Sequence, residues 1–207
     1  MKHCLLVFAA VVALAIGVPA SAQYMYIDVN GDGVCTNLDV LAPTTTSVDV
    51  WLRTNVNQDG TTAVCPDLSG EMTINSYTFI LSAVGGTVTY GAWTDNMGFT
   101  INGNQFPDGT GRAGNDVWVA KASGTIVDPG TYKLGSLAVT PSANTRLEIH
   151  ALSSIDDEAL TSFGSACNGQ DFDNTLKLPT DWQDVCGTAS QTPATETTWG
   201  KIKNLYR

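Results

Sequence analysis

From Ser47 onward, apolar and polar side chains alternate with a period of two. Val48, Val50 and Leu52 fall on one side of a strand, Asp49, Trp51 and Arg53 on the other. Met72 to Val84 is a longer run rich in Ile, Tyr, Phe and Thr. After Gly85-Gly86, a third run sets Val88, Tyr90 and Ala92 against Thr87, Thr89 and Trp93, so the two runs predict a hairpin. Phe99–Asn102, Asp116–Lys121, Thr131–Thr140, Arg146–Leu152 and Thr175–Leu178 read as further strands. Turn chemistry separates them: Pro107-Asp108-Gly109, Asp128-Pro129-Gly130 and Pro141-Ser142-Ala143-Asn144. Ile155 to Phe163 is compatible with a helical turn. Roughly eight short strands with few helical windows predict an all-β fold, a single antiparallel β-sandwich.

The ends of the chain depart from this pattern. Residues 1–22 read as a secretory signal peptide: Lys2 and His3, an apolar core from Leu5 to Val18, then Ala20-Ser21-Ala22 before Gln23. That core is too short for a membrane span, and no second apolar stretch follows. The expectation is therefore an exported protein, secreted, periplasmic or displayed at the cell surface, with its folded domain in residues 23–187 and no membrane span. Residues 188–198 are Thr, Ser, Ala, Gln and Pro with little to bury, a predicted linker. In the last segment, 199–207, Trp199, Ile202, Leu205 and Tyr206 share a face at helical spacing, with Lys201, Lys203 and Arg207 beside them. This short basic C-terminal helix either docks on its own domain or serves as a contact or sorting tag.

Twenty acidic against ten basic residues give a net charge of −10. Nucleic acid is a poor partner for such a surface, because phosphates demand basic contacts. Only 14% of residues are charged while 43% are hydrophobic, which suits a folded extracellular β-protein rather than a disordered chain. Beyond the leader, the cysteines are Cys35, Cys65, Cys167 and Cys186. An even count in an exported chain predicts two disulfides; of three possible pairings, the local one, Cys35 with Cys65 and Cys167 with Cys186, is preferred. Zinc is disfavoured, since His150 is the one histidine after the leader and no Cys-x-x-Cys occurs.

One segment carries metal chemistry. From Asp28 to Asp39 the chain reads Asp-Val-Asn-Gly-Asp-Gly-Val-Cys-Thr-Asn-Leu-Asp. Side-chain oxygens stand at loop positions of an EF-hand-type calcium site: Asp28, Asn30, Asp32, Thr36 and Asp39, with Val34 supplying its carbonyl and Gly33 the sharp turn. Calcium, a hard cation wanting six to eight oxygens, is the predicted ion. The alternative is an Asn-Gly/Asp-Gly turn without metal. Pro43 cuts short any exit helix, so the ion would pin the segment rather than transmit a signal. Asn55, Asn57 and Asp59 before Gly60 repeat the start of the pattern, but Pro66 stands where the last ligand belongs; this possible second metal loop reads better as a plain turn. Asp171, Asp173, Asn174, Asp181 and Asp184 match no ligand spacing and read as a solvated acidic loop.

On these residues the segment Asp28-x-Asn30-x-Asp32-Gly33 with Asp39 resembles one calcium loop of the dockerin repeat. The paired second loop and its long helices are missing, so cohesin binding does not carry over. Three features, Val48-Asp49-Val50-Trp51-Leu52, the pair Ile74–Leu81 and Val88–Trp93, and the late Gly130-to-Leu137 strand, resemble a cohesin-like or carbohydrate-binding-type sandwich, which implies a jelly-roll arrangement from Thr46 to Leu178. The chain also resembles secreted bacterial proteins with the motifs Asn30 to Val34, Thr73-x-Asn75-Ser76-Tyr77 and Asp173 to Leu178. That resemblance implies no activity.

No catalytic constellation is legible. His150 alternates with apolar residues on a strand and lacks partners for base catalysis. Glu71, Glu148, Glu158 and Glu196 are scattered, whereas glycoside hydrolysis needs two carboxylates on one cleft. The expectation is a non-enzyme of one of two kinds. One is a calcium-stabilised surface, adhesion or scaffold module that meets another protein. The other is a carbohydrate-binding module that stacks sugars on Trp51, Tyr90, Trp93 or Trp118.

Overall fold

A computed structural model describes residues 24–34, 36, 38–56, 60–63, 73–103, 108–150, 161–164 and 188–190. Among them are eleven strands: β1 (Tyr24–Asp28), β2 (Ser47–Arg53), β3 (Ile74–Val84), β4 (Val88–Asp95), β5 (Ile101–Asn102), β6 (Thr110–Ala113), β7 (Asp116–Val127), β8 (Thr131–Pro141), β9 (Arg146–His150), β10 (Ser162–Gly164) and β11 (Thr188–Ser190). No helix occurs among the described residues, so none there is long and apolar enough to cross a membrane. The predicted C-terminal helix at 199–207 and the strand at Thr175–Leu178 lie outside the described residues.

The strands form two antiparallel sheets, a β-sandwich. One sheet runs β1-β2-β8-β4; the other runs β11-β9-β3-β7-β5. In the second, β9 and β10 share one edge of β3, and β5 and β6 share the outer edge of β7. Period-two alternation drives this packing. Val48, Val50 and Leu52 point inward and are essentially inaccessible, as are Phe79 and Leu81 of β3, Val117 and Val119 of β7, Leu137 of β8, and Leu147 and Ile149 of β9. Apolar faces on both sheets meet, and each fully buried large aliphatic side chain stabilises the fold by about 1.5–3 kcal/mol relative to exposure. Leu41, from the loop between β1 and β2, also enters this core.

Several expectations require correction. The Gly85-Gly86 turn does not close a hairpin: β3 pairs with β7, β9 and β10, whereas β4 pairs with β8 in the other sheet. The chain crosses between sheets there, and the β8-to-β9 connection crosses beside it. Ser142 N–H donates to the Thr87 carbonyl at 2.8 Å, and Thr87 N–H donates to Ser142 Oγ at 2.9 Å. A Cβ on Gly86 would lie 2.2 Å from Thr145 Oγ1, so the two crossings stack only because Gly86 has none.

The alternation in β4 also breaks. A register shift between Tyr90 and Trp93 reverses the later side chains, leaving Ala92 exposed and Trp93 buried at 5%. Ser162 and Phe163, at the end of the predicted helical turn, belong instead to β10. Thr188–Ser190, the start of the predicted linker, forms β11 against β9. Ladder pairing needs backbone groups, not apolar side chains, so composition gave no sign of it. β1 and β6 were not anticipated either.

Candidate calcium loop and its surroundings

β1 is an edge strand, yet all five of its residues are buried. Met25 and Ile27 face the core opposite Leu52 and Val50, while Tyr26 lies opposite Trp51 on the outer face. Their rings stack at 6.1 Å with planes 7° apart. The loop after Asp28 folds back over this pair. Tyr26 Oη donates to the Gly33 carbonyl at 2.8 Å. Gly33 adopts φ +76°, and a Cβ there would sit 3.2 Å from the Trp51 ring. Burial pushes the Tyr26 phenol up to about 12, against the lowering pull of Arg53.

Two carboxylates anchor the loop from its ends. Asp28, 1% exposed, accepts from Gly31 N–H (2.7 Å), Gly33 N–H (2.8 Å) and Trp51 Nε1 (3.2 Å). Asp39, 7% exposed, accepts from Val29 N–H (2.8 Å) and Thr36 N–H (2.9 Å). None of the ion pairs among the described residues involves either. Buried carboxylates held by N–H dipoles alone are costly, and they retain lone pairs: an ionised carboxylate offers about four acceptor sites.

The intervening residues are short-range acceptors. Asn30 Oδ1 accepts from Asp32 N–H at 3.0 Å, and Asp32 Oδ1 from Val34 N–H at 2.9 Å. Asp32 Oδ2 accepts from Asn30 Nδ2 at 2.9 Å, and Thr36 Oγ1 from Leu38 N–H at 3.2 Å. Among the described residues of the loop, the side-chain and carbonyl atoms available to an ion are oxygens, which fits a hard cation such as calcium. Asp32 points into solvent, and no three His, Cys, Asp or Glu side chains are gathered around one point among the described residues. A bound ion would draw Asp32 and Asn30 inward towards Asp28 and Asp39.

The possible second loop gives less. Asn55 is exposed, its carbonyl accepts from Ala63 N–H at 3.0 Å, and Val56 bridges Thr62 across a turn with Gly60 at φ +83°. Asn57 and Asp59 lie outside the described residues, as do Cys35, Cys65, Cys167, Cys186 and the acidic cluster from Asp171 to Asp184.

The four aromatics do not form a row. Trp51 packs on the outside of the first sheet under the loop. Trp93 is not exposed but buried, turned inward by the β4 irregularity, and donates from Nε1 to Tyr77 Oη at 3.2 Å. Tyr90 reaches to the other sheet, where its hydroxyl donates to the Asn115 carbonyl at 2.8 Å. Trp118 lies opposite Ile80 and Gly111 in the second sheet, its ring where a Cβ of Gly111 would be. His150 faces outward beside Glu148, 3.2 Å from its Oε2, and Glu148 also pairs with Arg146.

Two polar groupings escaped the sequence reading. Tyr77 of β3 donates to the Asp95 carboxylate of β4 while accepting from Trp93, and Asp95 Oδ2 accepts from Phe99 N–H at 2.9 Å. This ties the two sheets through a buried phenol. On the outer edge of β7, Lys121 meets Asn102. No protein family, curated protein or solved structure matches the chain.

Proposed function

We propose that the chain is an exported, non-catalytic β-sandwich module that contacts another protein surface, with calcium held in the Asp28–Asp39 loop pinning its N-terminal edge. The observation that carries this reading is the pair of buried carboxylates, Asp28 and Asp39, facing one loop with backbone N–H groups and one indole as their partners. A cation there offsets their burial and fastens β1, the outermost strand of its sheet. Protein contact is favoured over sugar binding because the aromatics are spread over two sheets and the core. Exposed apolar residues stand on the loop itself, Val34 at 51% and Leu38 at 67%. A glycan array run with and without calcium tests the partner class. No retained glycan is expected; calcium-dependent retention of a polysaccharide would replace protein contact with carbohydrate binding.

A further inference from the structure

Lys121 is an unusual lysine. It lies on β7 in phase with Val117 and Val119, on the core side of the sheet, and is 9% exposed. None of the ion pairs among the described residues includes it. Its Nζ donates to Asn102 Oδ1 at 2.6 Å. Asn102 is its register partner on β5, so the ladder itself sets the two side chains on one face. Gly109, buried and at φ +77°, closes over the pair: a Cβ there would lie 2.5 Å from Lys121 Cε, 2.7 Å from Nζ and 2.8 Å from Asn102 Oδ1. Only a glycine admits this approach, which covers the lysine nitrogen while the Asn102 residue itself stays exposed at the edge of the sheet. On the other side, the register partner of Lys121 is the buried Tyr77.

An ammonium this buried with a neutral amide as its acceptor is a costly arrangement as it stands. The hydrogen bond to Oδ1 also keeps Nζ next to the Asn102 carboxamide, the proximity on which the high effective molarity of intramolecular reactions depends. The geometry points to a covalent cross-link: an isopeptide bond between Lys121 and Asn102. Deprotonated Nζ attacks Asn102 Cγ, a new C–N bond forms, and the Cγ–Nδ2 bond breaks. Nδ2 leaves as ammonia, taking the proton shed by Nζ; counted from the lysine ammonium, the products are a secondary amide and one ammonium ion. Nothing is oxidised or reduced. The product replaces a buried charge with a neutral amide and staples the two-residue strand β5 to β7.

Peptide mapping of purified chain 23–207, reduced and alkylated, decides the matter. Trypsin cuts after Arg53, Arg112, Lys121 and Lys133. A cross-linked lysine resists cleavage, so the expected product is a branched species joining 54–112 to 113–133, lighter than the two peptides by one ammonia. Asn102 precedes Gly103, and succinimide formation there also releases ammonia, but it joins no peptides. Lys121→Arg and Asn102→Ala should each abolish the branched species. Wild-type protein yielding only separate 54–112 and 113–121 peptides overturns the proposal, whether or not either variant folds. A branched species that persists in Asn102→Ala overturns the choice of partner.

Discussion

Replacing Tyr77 with Phe removes one oxygen from the centre of the sandwich and leaves the ring. Tyr77 is 1% exposed, and its ring packs against Phe79, Trp93 and Phe99 at 6.3, 6.4 and 5.7 Å. Core volume is therefore almost unchanged, and the cost is polar. The Asp95 carboxylate loses a donor, and Trp93 Nε1, on a side chain 5% exposed, loses its acceptor. A hydrogen bond to a charged group contributes about 1.5–3 kcal/mol, and stranding a buried donor costs about 1–3 kcal/mol. Asp95 is only half-buried and keeps Phe99 N–H, so water recovers part of the first loss. The expected destabilisation is about 2–4 kcal/mol. At about 2–4 °C per kcal/mol for a chain of this size, Tm falls by about 4–16 °C. Urea unfolding followed by tryptophan fluorescence measures it. Tyr90→Phe is the control, because its hydroxyl meets carbonyls near the surface and its loss should cost no more than about 1 kcal/mol. Equal, near-neutral effects in the two variants would refute the idea that the Tyr77 hydroxyl ties the sheets together.

Gly33→Ala should lower Tm more than Gly31→Ala. Both positions have positive φ, costing about 1–2 kcal/mol for a side chain, but only at Gly33 does the new methyl meet Trp51; equal shifts in thermal melts would remove Trp51 from the account. The burial that raises the phenols of Tyr26, Tyr77 and Tyr90 makes stability fall in alkali. Their contribution is complete below the unfolded value of about 10 and is lost as pH rises, for Tyr26 through its folded value of about 12. Urea midpoints that stay level from neutrality to beyond that range would contradict this.

What could be read in advance was local. Val48, Val50 and Leu52 announced an inward face because nothing interrupts their alternation. Asp28 through Asp39 stood out because one loop contains every proposed ligand. What could not be read depended on strand partners. Gly85-Gly86 marks a reversal but not which edges pair afterwards, and the neighbouring crossing at Ser142 to Thr145 lies far along the chain. One irregularity between Tyr90 and Trp93 was enough to put Trp93 inside. β1 shows no alternation because the returning loop covers its outer face. The Lys121–Asn102 contact spans 19 residues and the Tyr77–Asp95 contact 18, so neither forms a motif in the sequence.

The proposed function rests on a structural calcium ion in the Asp28–Asp39 loop. Titration calorimetry of chain 23–207, paired with melting curves in calcium and in EDTA, tests it most directly. The account predicts one site, with Kd on the order of 10⁻⁴–10⁻³ M for an extracellular loop. Stabilisation should grow as RT ln(1 + [Ca]/Kd), about 2.7 kcal/mol at a hundredfold excess over Kd. Asp32→Ala removes an exposed ligand and its two local hydrogen bonds but not the buried anchors, and should abolish the heat while lowering the metal-free stability by no more than about 1 kcal/mol. No heat with the wild-type chain, together with identical melting in calcium and EDTA, would contradict the claim and leave Asp28 and Asp39 as turn-forming carboxylates alone.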